Sequence, residues 1–222
     1  METRAAIIAR AAELLAQSAT GDISTRAVCE AAGITQPVLY RHFGDKDGLL
    51  AAVVDAVWDE YLTAKRAARP SEDPVEDLRA GWNAHTDFAL AHPQAYRLVF
   101  GSALTTRPAA IAEAMALLEG ITGRLAAQGR LRMAPSDAAR VIMAANSGLA
   151  LGLILRPEAY PDPAVSALAR DAALASILVD AEAAADDAAS VAATTLRAHL
   201  AGSSSFSPAE AALLDEWLRR IR

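Results

Sequence analysis

Apolar residues recur along this chain at helical spacing. Ile7, Ile8, Ala11, Leu14 and Leu15 stand at i, i+1, i+4, i+7 and i+8, which gathers them on one face of a first helix. Leu49, Leu50, Val53, Val54, Val57, Trp58, Tyr61 and Leu62 define a longer helix in the same way. Asp73-Pro74 with Glu76, and Ser207-Pro208-Ala209-Glu210, read as helix starts. In each, a side-chain oxygen can accept from the first unpaired N–H groups and a proline follows where its missing N–H costs nothing. The second start predicts a final helix that buries Leu213, Leu214, Trp217, Leu218 and Ile221. Further helices are predicted near 93–101, 108–128, 136–156 and 163–180, opening on Pro93, Pro108, Ser136 and Asp162-Pro163. No alternating strand pattern with hairpin turns is found, so the fold class is all-α. Gly202 to Ser205 reads as a short flexible link before the last helix, and Asp186-Asp187 as a solvated face or helix start.

Residues 23–50 break the apolar rhythm with a dense run of polar and aromatic side chains. Ser24-Thr25 can cap a short helix carrying Val28, Cys29 and Ala32. Gly33 gives the backbone freedom for a tight turn, Ile34 anchors it, and Thr35 can cap a second short helix with Pro37 in its first turn. Two short helices about a glycine turn form a helix-turn-helix. Leu39 and Phe43, four residues apart, face inward, which leaves Gln36, Val38, Tyr40, Arg41 and His42 on the outer and leading faces.

Composition narrows the function. The chain has 222 residues, 53% of them hydrophobic and 22% charged, enough for one large core or a small domain beside a larger one. The least charged stretch, Val141 to Leu155, is about 15 residues long and contains Asn146 and Ser147, which reads as a buried helix and not as a bilayer span. The amino terminus mixes Glu2, Arg4, Arg10 and Glu13 into its apolar runs, unlike a secretory signal, so a cytoplasmic protein is expected. Cys29 is the only cysteine; core packing suits it better than a redox role. His85 and His92 lack a clear third ligand, so no metal site is expected, and no cofactor is implied. No phosphate-binding glycine loop and no Gly-x-Ser-x-Gly elbow is present, which argues against an enzyme. With a net charge of −6, contact with nucleic acid requires a local surface.

The segment "ISTRAVCEAAGITQPVLYRHFGDKDGLL", residues 23–50, resembles the DNA-binding segment of TetR-family transcriptional regulators: a Thr-rich helix start, a turn glycine, an apolar-Tyr-x-x-Phe recognition helix and a Lys opening the next helix. The resemblance covers roughly residues 4–50. "HTDFALAHPQAYRLVFG", residues 85–101, is similar to a regulatory-domain subgroup with a Pro-x-x-Tyr-Arg-Leu-x-Phe-Gly run. The resemblance implies a homodimer on double-stranded DNA at a palindromic operator, a repressor that lets go when a small-molecule effector enters the larger domain. It also implies that Thr25, Tyr40 and Lys46 contact phosphates while Arg26, Gln36, Pro37 and Val38 face base edges. The chemistry agrees: Arg grips guanine with two hydrogen bonds, Gln suits adenine and Val methyls meet a thymine methyl. Thr35, Arg41 and His42 complete the expected DNA surface, with the roles of Arg41 and His42 open. Over residues 1–46 the bases Arg4, Arg10, Arg26, Arg41 and Lys46 are matched by Glu2, Glu13, Asp22, Glu30 and Asp45, so affinity must come from geometry and dimerisation more than from bulk charge.

This reading divides the chain into a DNA-binding domain at 1–48 and a ligand-binding and dimerisation domain at 49–222, with 181–222 as an extension of unfixed role. The family's usual interface implies dimerisation through 136–156 and 163–180, where Ala145, Gly148, Leu149 and Gly152 let backbones approach. Trp82, Phe88, Tyr96, Phe100 and Met115 suit a core and a ligand pocket equally; with His85, Met143 and Asn146 they form the candidate effector site, mostly apolar with a few polar groups. A helical interaction protein that keeps a helix-turn-helix without reading DNA is the alternative. The two differ in whether a DNA sequence is selected.

Overall fold

The computed structural model describes residues 4–101, 104–179, 188–200 and 205–221. Among these, eleven α-helices account for nearly all regular structure: α1 (Arg4–Gln17), α2 (Thr25–Ala31), α3 (Gln36–Phe43), α4 (Lys46–Ala67), α5 (Pro74–Ala91), α6 (Pro93–Phe100), α7 (Ala109–Ala127), α8 (Pro135–Leu155), α9 (Ala164–Ile177), α10 (Ala188–Leu200) and α11 (Pro208–Leu218). An isolated antiparallel bridge joins Leu131 to Leu178. The all-α expectation holds. The helix predicted to reach residue 180 stops at Ile177, where the chain turns extended and pairs in that bridge. Asp186-Asp187 and 202–204 lie outside the described residues.

The helices fall into two compact units. One comprises 1–68, 85–114 and 150–160; the other 69–84, 115–149 and 161–222. In the first, α1 packs on α2, α4 and α6, and α3 bridges α2 and α4. Its core is the predicted apolar set: Ile7, Ala11, Leu15, Val28, Leu39, Leu49, Val53 and Trp58 are all buried. Burial of so many branched and aromatic side chains, at about 1.5–3 kcal/mol each, offsets the cost of ordering the short helices α2 and α3, too short to be stable alone. Local signals set the ends. Ser24 caps α2 by accepting from the Ala27 N–H at 3.1 Å, and Asp45 caps α4 by accepting from the Gly48 N–H at 2.7 Å.

In the second unit, Trp82 Nε1–H donates to Ser166 Oγ at 3.1 Å and Asn146 Nδ2–H donates to the Trp82 carbonyl at 3.1 Å, so two buried polar groups are satisfied within the core. Thr122 Oγ1–H reaches the Pro135 carbonyl, tying α7 to the start of α8. Helix α8 is 21 residues long, exceeding the apolar run read from sequence, and by length and composition could cross a membrane. Much of it is buried inside the protein, with Asn146 hydrogen-bonded, as in the core helix of a folded domain. Ser207 and Glu210 form the predicted capping box of α11. Of the apolar stripe predicted for that helix, which packs on α10, Leu214 and Leu218 are half-buried, whereas Leu213, Trp217 and Ile221 are exposed, Trp217 at 54%.

Candidate nucleic-acid interface

The α2–turn–α3 segment is held from beneath and presents its polar chemistry outward. Leu39 is fully buried, Phe43 lies half-buried under the Arg4 guanidinium at 5.1 Å, and Gly33 takes φ +62° in the turn. Only glycine adopts that conformation without strain. Arg26, Thr35, Gln36, Pro37, Tyr40 and Arg41 are exposed; Thr25, Val38, His42 and Lys46 are half-buried. The ten residues expected to meet DNA thus lie on α2, on α3 and its cap position, and at the start of α4. Thr35 occupies the cap position, but its side chain makes no cap hydrogen bond; its carbonyl accepts from Val38 and Leu39 instead. That corrects the capping role read from sequence and leaves the hydroxyl on the exposed edge of the recognition helix.

Sequence reasoning missed two features of this corner. Lys46 Nζ lies 2.6 Å from Asp22 Oδ1, and this contact holds the Asp22 carboxyl below its ordinary pKa. The cation expected on a phosphate is therefore shared with a carboxylate of the α1–α2 loop. Gly48 stands directly against the Phe43 carbonyl, where any Cβ would collide with backbone, so α3 and α4 meet as closely as they do because residue 48 has no side chain. The signal in the sequence was the lone glycine in the first turn of a helix.

Helix α4 runs unbroken from Lys46 into an aromatic cluster of the same unit. Trp58 is fully buried, its ring stacked on Tyr96 at 6.1 Å and edge-on to Phe88 at 4.8 Å; Tyr61 stacks on Phe88 at 4.8 Å. His85 Nε2 is 2.7 Å from Tyr96 Oη and its Nδ1 is 3.3 Å from Tyr61 Oη. Burial, with a smaller push from Lys65, lowers the His85 pKa to about 4, so the ring is neutral near pH 7. Burial also raises the Tyr61 and Tyr96 phenols well above their usual range. Of the eight candidate effector residues, His85, Phe88, Tyr96 and Phe100 come together here with Trp58 and Tyr61. Trp82, Met115, Met143 and Asn146 belong to the second unit, where Trp82 and Asn146 are joined as described. His92 lies against the Phe88 ring and lines a cleft of about 90 Å³ with Leu15, Val57 and Gln94.

Three polar contacts pin α4 along its length within the same unit. Asp47 accepts from the Thr105 N–H at 3.0 Å and from its hydroxyl, Asp55 accepts from the Ala110 N–H at 3.0 Å, and Arg66 pairs with Glu113. Residues 104–113 thus brace the helix that carries Lys46.

Residues 7–53 match the family model of bacterial regulatory proteins of the tetR family. The chain is 30% identical over 122 residues to the HTH-type transcriptional activator FasR of Mycolicibacterium smegmatis, a match covering 54% of this chain and 56% of that protein. It is 42% identical over 53 residues to the HTH-type transcriptional regulatory protein RaaS of Mycobacterium tuberculosis, covering 24% of this chain and 25% of that one. The alignments span about half and a quarter of these relatives. Among solved structures, a TetR variant of Acinetobacter baumannii AYE in complex with minocycline has the same fold, with a TM-score of 0.63 at 22% identity over 79% of this chain and 96% of that one. Residues 7–53 thus carry a helix-turn-helix that matches the tetR family of bacterial regulatory proteins in sequence, and the chain shares the fold of a solved TetR structure.

Proposed function

We propose that this protein is a ligand-responsive transcriptional regulator of the cytoplasm that binds a palindromic operator as a homodimer and is released from it by a small molecule, acting as a repressor. The observation that carries the reading is the course of α4: one helix begins at Lys46, beside α3, and carries Trp58 and Tyr61 into the cluster with His85 and Tyr96. Anything that displaces the aromatic cluster tilts a rigid rod whose other end sits at the DNA surface. Arg26, Gln36, Pro37 and Val38 read base edges; Thr25, Tyr40 and Lys46 hold phosphates, with Thr35, Arg41 and His42 on the same surface. A small molecule in a protein of this fold has the minocycline complex as its parallel. The relative named as an activator makes the sign of regulation a separate question, decided by where the operator lies relative to the promoter.

The proposed dimer surface is the outer face of α8 and α9 in the second unit. Val141, Ala144 and Gly148 are exposed on α8, with nothing standing over Gly148, and Leu168 is 71% exposed on α9 beside Ala164, Ala172 and Ala175. Gly152 plays no part in it, because the Tyr160 ring of the same chain fills the space a Cβ would take.

Selection from random duplex DNA by the purified full chain tests the reading. Two half-sites with centres about 34–36 Å apart, related by a palindrome, are expected. Failure to enrich any sequence would favour a helical interaction protein instead. A monomer by light scattering that still bound a full operator tightly would refute the dimer.

A further inference from the structure

Helix α11 has an apolar face that its own unit leaves bare. It is 11 residues long and none of them is buried. A helix this short is marginal in water even with a capping box at its start, and helices in proteins hold mainly by burying an apolar face. One side is taken up: α11 packs on α10, Asp215 accepts from Arg197 Nε–H at 2.8 Å, and Leu214 and Leu218 are half-buried. The neighbouring side is not. Leu213 and Trp217, four residues apart, share it with Ile221 in the closing turn, and all three are exposed. Along one edge of this stripe run Glu216 and Arg220, paired with each other and exposed at 61% and 68%.

The stripe is complementary to itself. Trp217 stands midway between Leu213 and Ile221, so a second copy laid antiparallel, with a two-fold axis at Trp217, sets Trp217 against the partner's Trp217 and Leu213 against the partner's Ile221. The same rotation keeps the Glu216–Arg220 edges on one side of the contact and reverses their order. Glu216 then comes beside the partner's Arg220, and Arg220 beside the partner's Glu216. A parallel pair would throw the two edges to opposite sides, and these charges would not meet. An apolar centre holding a Trp, with charges at an exposed rim, is the usual anatomy of a protein contact. A lipid surface fits less well, because Glu210, Asp215 and Glu216 balance Arg219, Arg220 and Arg222 and leave no net attraction to anionic headgroups.

We infer that α11 pairs with α11 of a second copy of this chain, antiparallel about a two-fold axis at Trp217. The contact uses none of the residues of the α8 and α9 face and does not depend on the DNA reading. The Glu216–Arg220 pair within each helix exchanges for two pairs across the contact, and the exposed Leu213, Trp217 and Ile221 side chains leave water together.

Disulfide trapping in the full chain tests the pairing. The only native cysteine, Cys29, is replaced by Ala in every variant so that each introduced thiol stands alone. Trp217→Cys should give a covalently linked pair under mild oxidation, since residue 217 meets its own copy at the axis. Leu213→Cys alone should not, because its two copies lie about 12 Å apart along the helices, beyond the about 4.4–6.8 Å Cα separation of a disulfide. Leu213→Cys and Ile221→Cys chains, which both keep Trp217, should link to each other when mixed. Charge gives the second readout. In the Trp217→Cys background, Glu216→Arg alone and Arg220→Glu alone should lose most of the linked product, and a mixture of the two chains should regain it. Both substitutions break the pair within the helix, so recovery on mixing reports the contact between copies and not helix stability. Self-linking of Leu213→Cys, no product from both Trp217→Cys and the Leu213→Cys with Ile221→Cys mixture, or charge variants that link as well apart as together would overturn the inference. Co-sedimentation of the unlinked chain with anionic vesicles would then give the face to a membrane. Operator selection is read separately, so failure here leaves the proposed function standing, and failure there leaves this contact standing.

Discussion

If Lys46 holds a phosphate as proposed, the Asp22–Lys46 pair sets up a measurable competition for its ammonium. The ammonium is 2.6 Å from the carboxylate, and the two side chains are 40% and 64% exposed. A pair so exposed is worth about 0–1 kcal/mol net, since each ion is well hydrated when apart. Asp22→Asn should therefore change folding stability by less than about 1 kcal/mol, the more so because the amide oxygen can still accept from the Ile23 N–H now bonded to Oδ1 at 2.9 Å. Its effect on DNA should be larger in character than in size. With the competitor gone, Lys46 engages its phosphate fully, so operator affinity should rise by up to about fivefold per subunit and the salt slope should steepen by up to about 0.9. The Asp22 carboxyl is held below 3.8, chiefly by its hydrogen bond to Lys46. Its contribution is fully present above 3.8 and is lost only as pH falls through the depressed value, so assays at neutral pH compare a charged carboxylate with a neutral amide. The assay is fluorescence anisotropy on the selected operator from about 50 to 200 mM salt, for Asp22→Asn, Lys46→Ala and the double variant. If Asp22 acts through Lys46, the double variant matches Lys46→Ala. An affinity gain from Asp22→Asn that survives without Lys46, or no change in affinity and slope, would refute the competition.

Three further outcomes are expected. Gly48→Ala should destabilise the corner between α3 and α4 by about 1–3 kcal/mol or more, as at an overpacked site, and weaken operator binding; urea unfolding at wild-type stability would contradict the close approach. His85 is buried and neutral, with its pKa lowered from 6.5 to about 4, so its share of stability is full above 6.5 and is lost as pH falls toward 4, by about 3 kcal/mol at the limit. His85→Gln should flatten that part of the stability profile, and an unchanged acid limb would show that another group titrates there. Arg26→Ala should cost about 1–3 kcal/mol on the preferred operator and relax one base position, while Lys46→Ala weakens all sequences alike; equal loss on every sequence for Arg26→Ala would remove its base-reading role.

Sequence alone determined most of the helices and the helix-turn-helix, because those are written in short-range chemistry. Ser24, Asp73 and Ser207, read as helix starts, each cap a helix through an oxygen that reaches an N–H two or three residues away. The face of α1 and the face of α4 follow from the 3.6-residue repeat, and Gly33 from the turn that needs it. What only the tertiary structure decided lies between residues far apart in the chain. Lys46 meets Asp22, Trp58 stacks on Tyr96, Asp55 caps α7 at Ala110, and Tyr160 fills the space over Gly152. The exposure of Leu213, Trp217 and Ile221 belongs to the same class, since amphipathic spacing says that a face is apolar but not what covers it. A cap or a helical face is fixed by neighbours within one or two turns. The partner of a given side chain is fixed by how whole helices pack, and that is settled by the burial of the entire core at once.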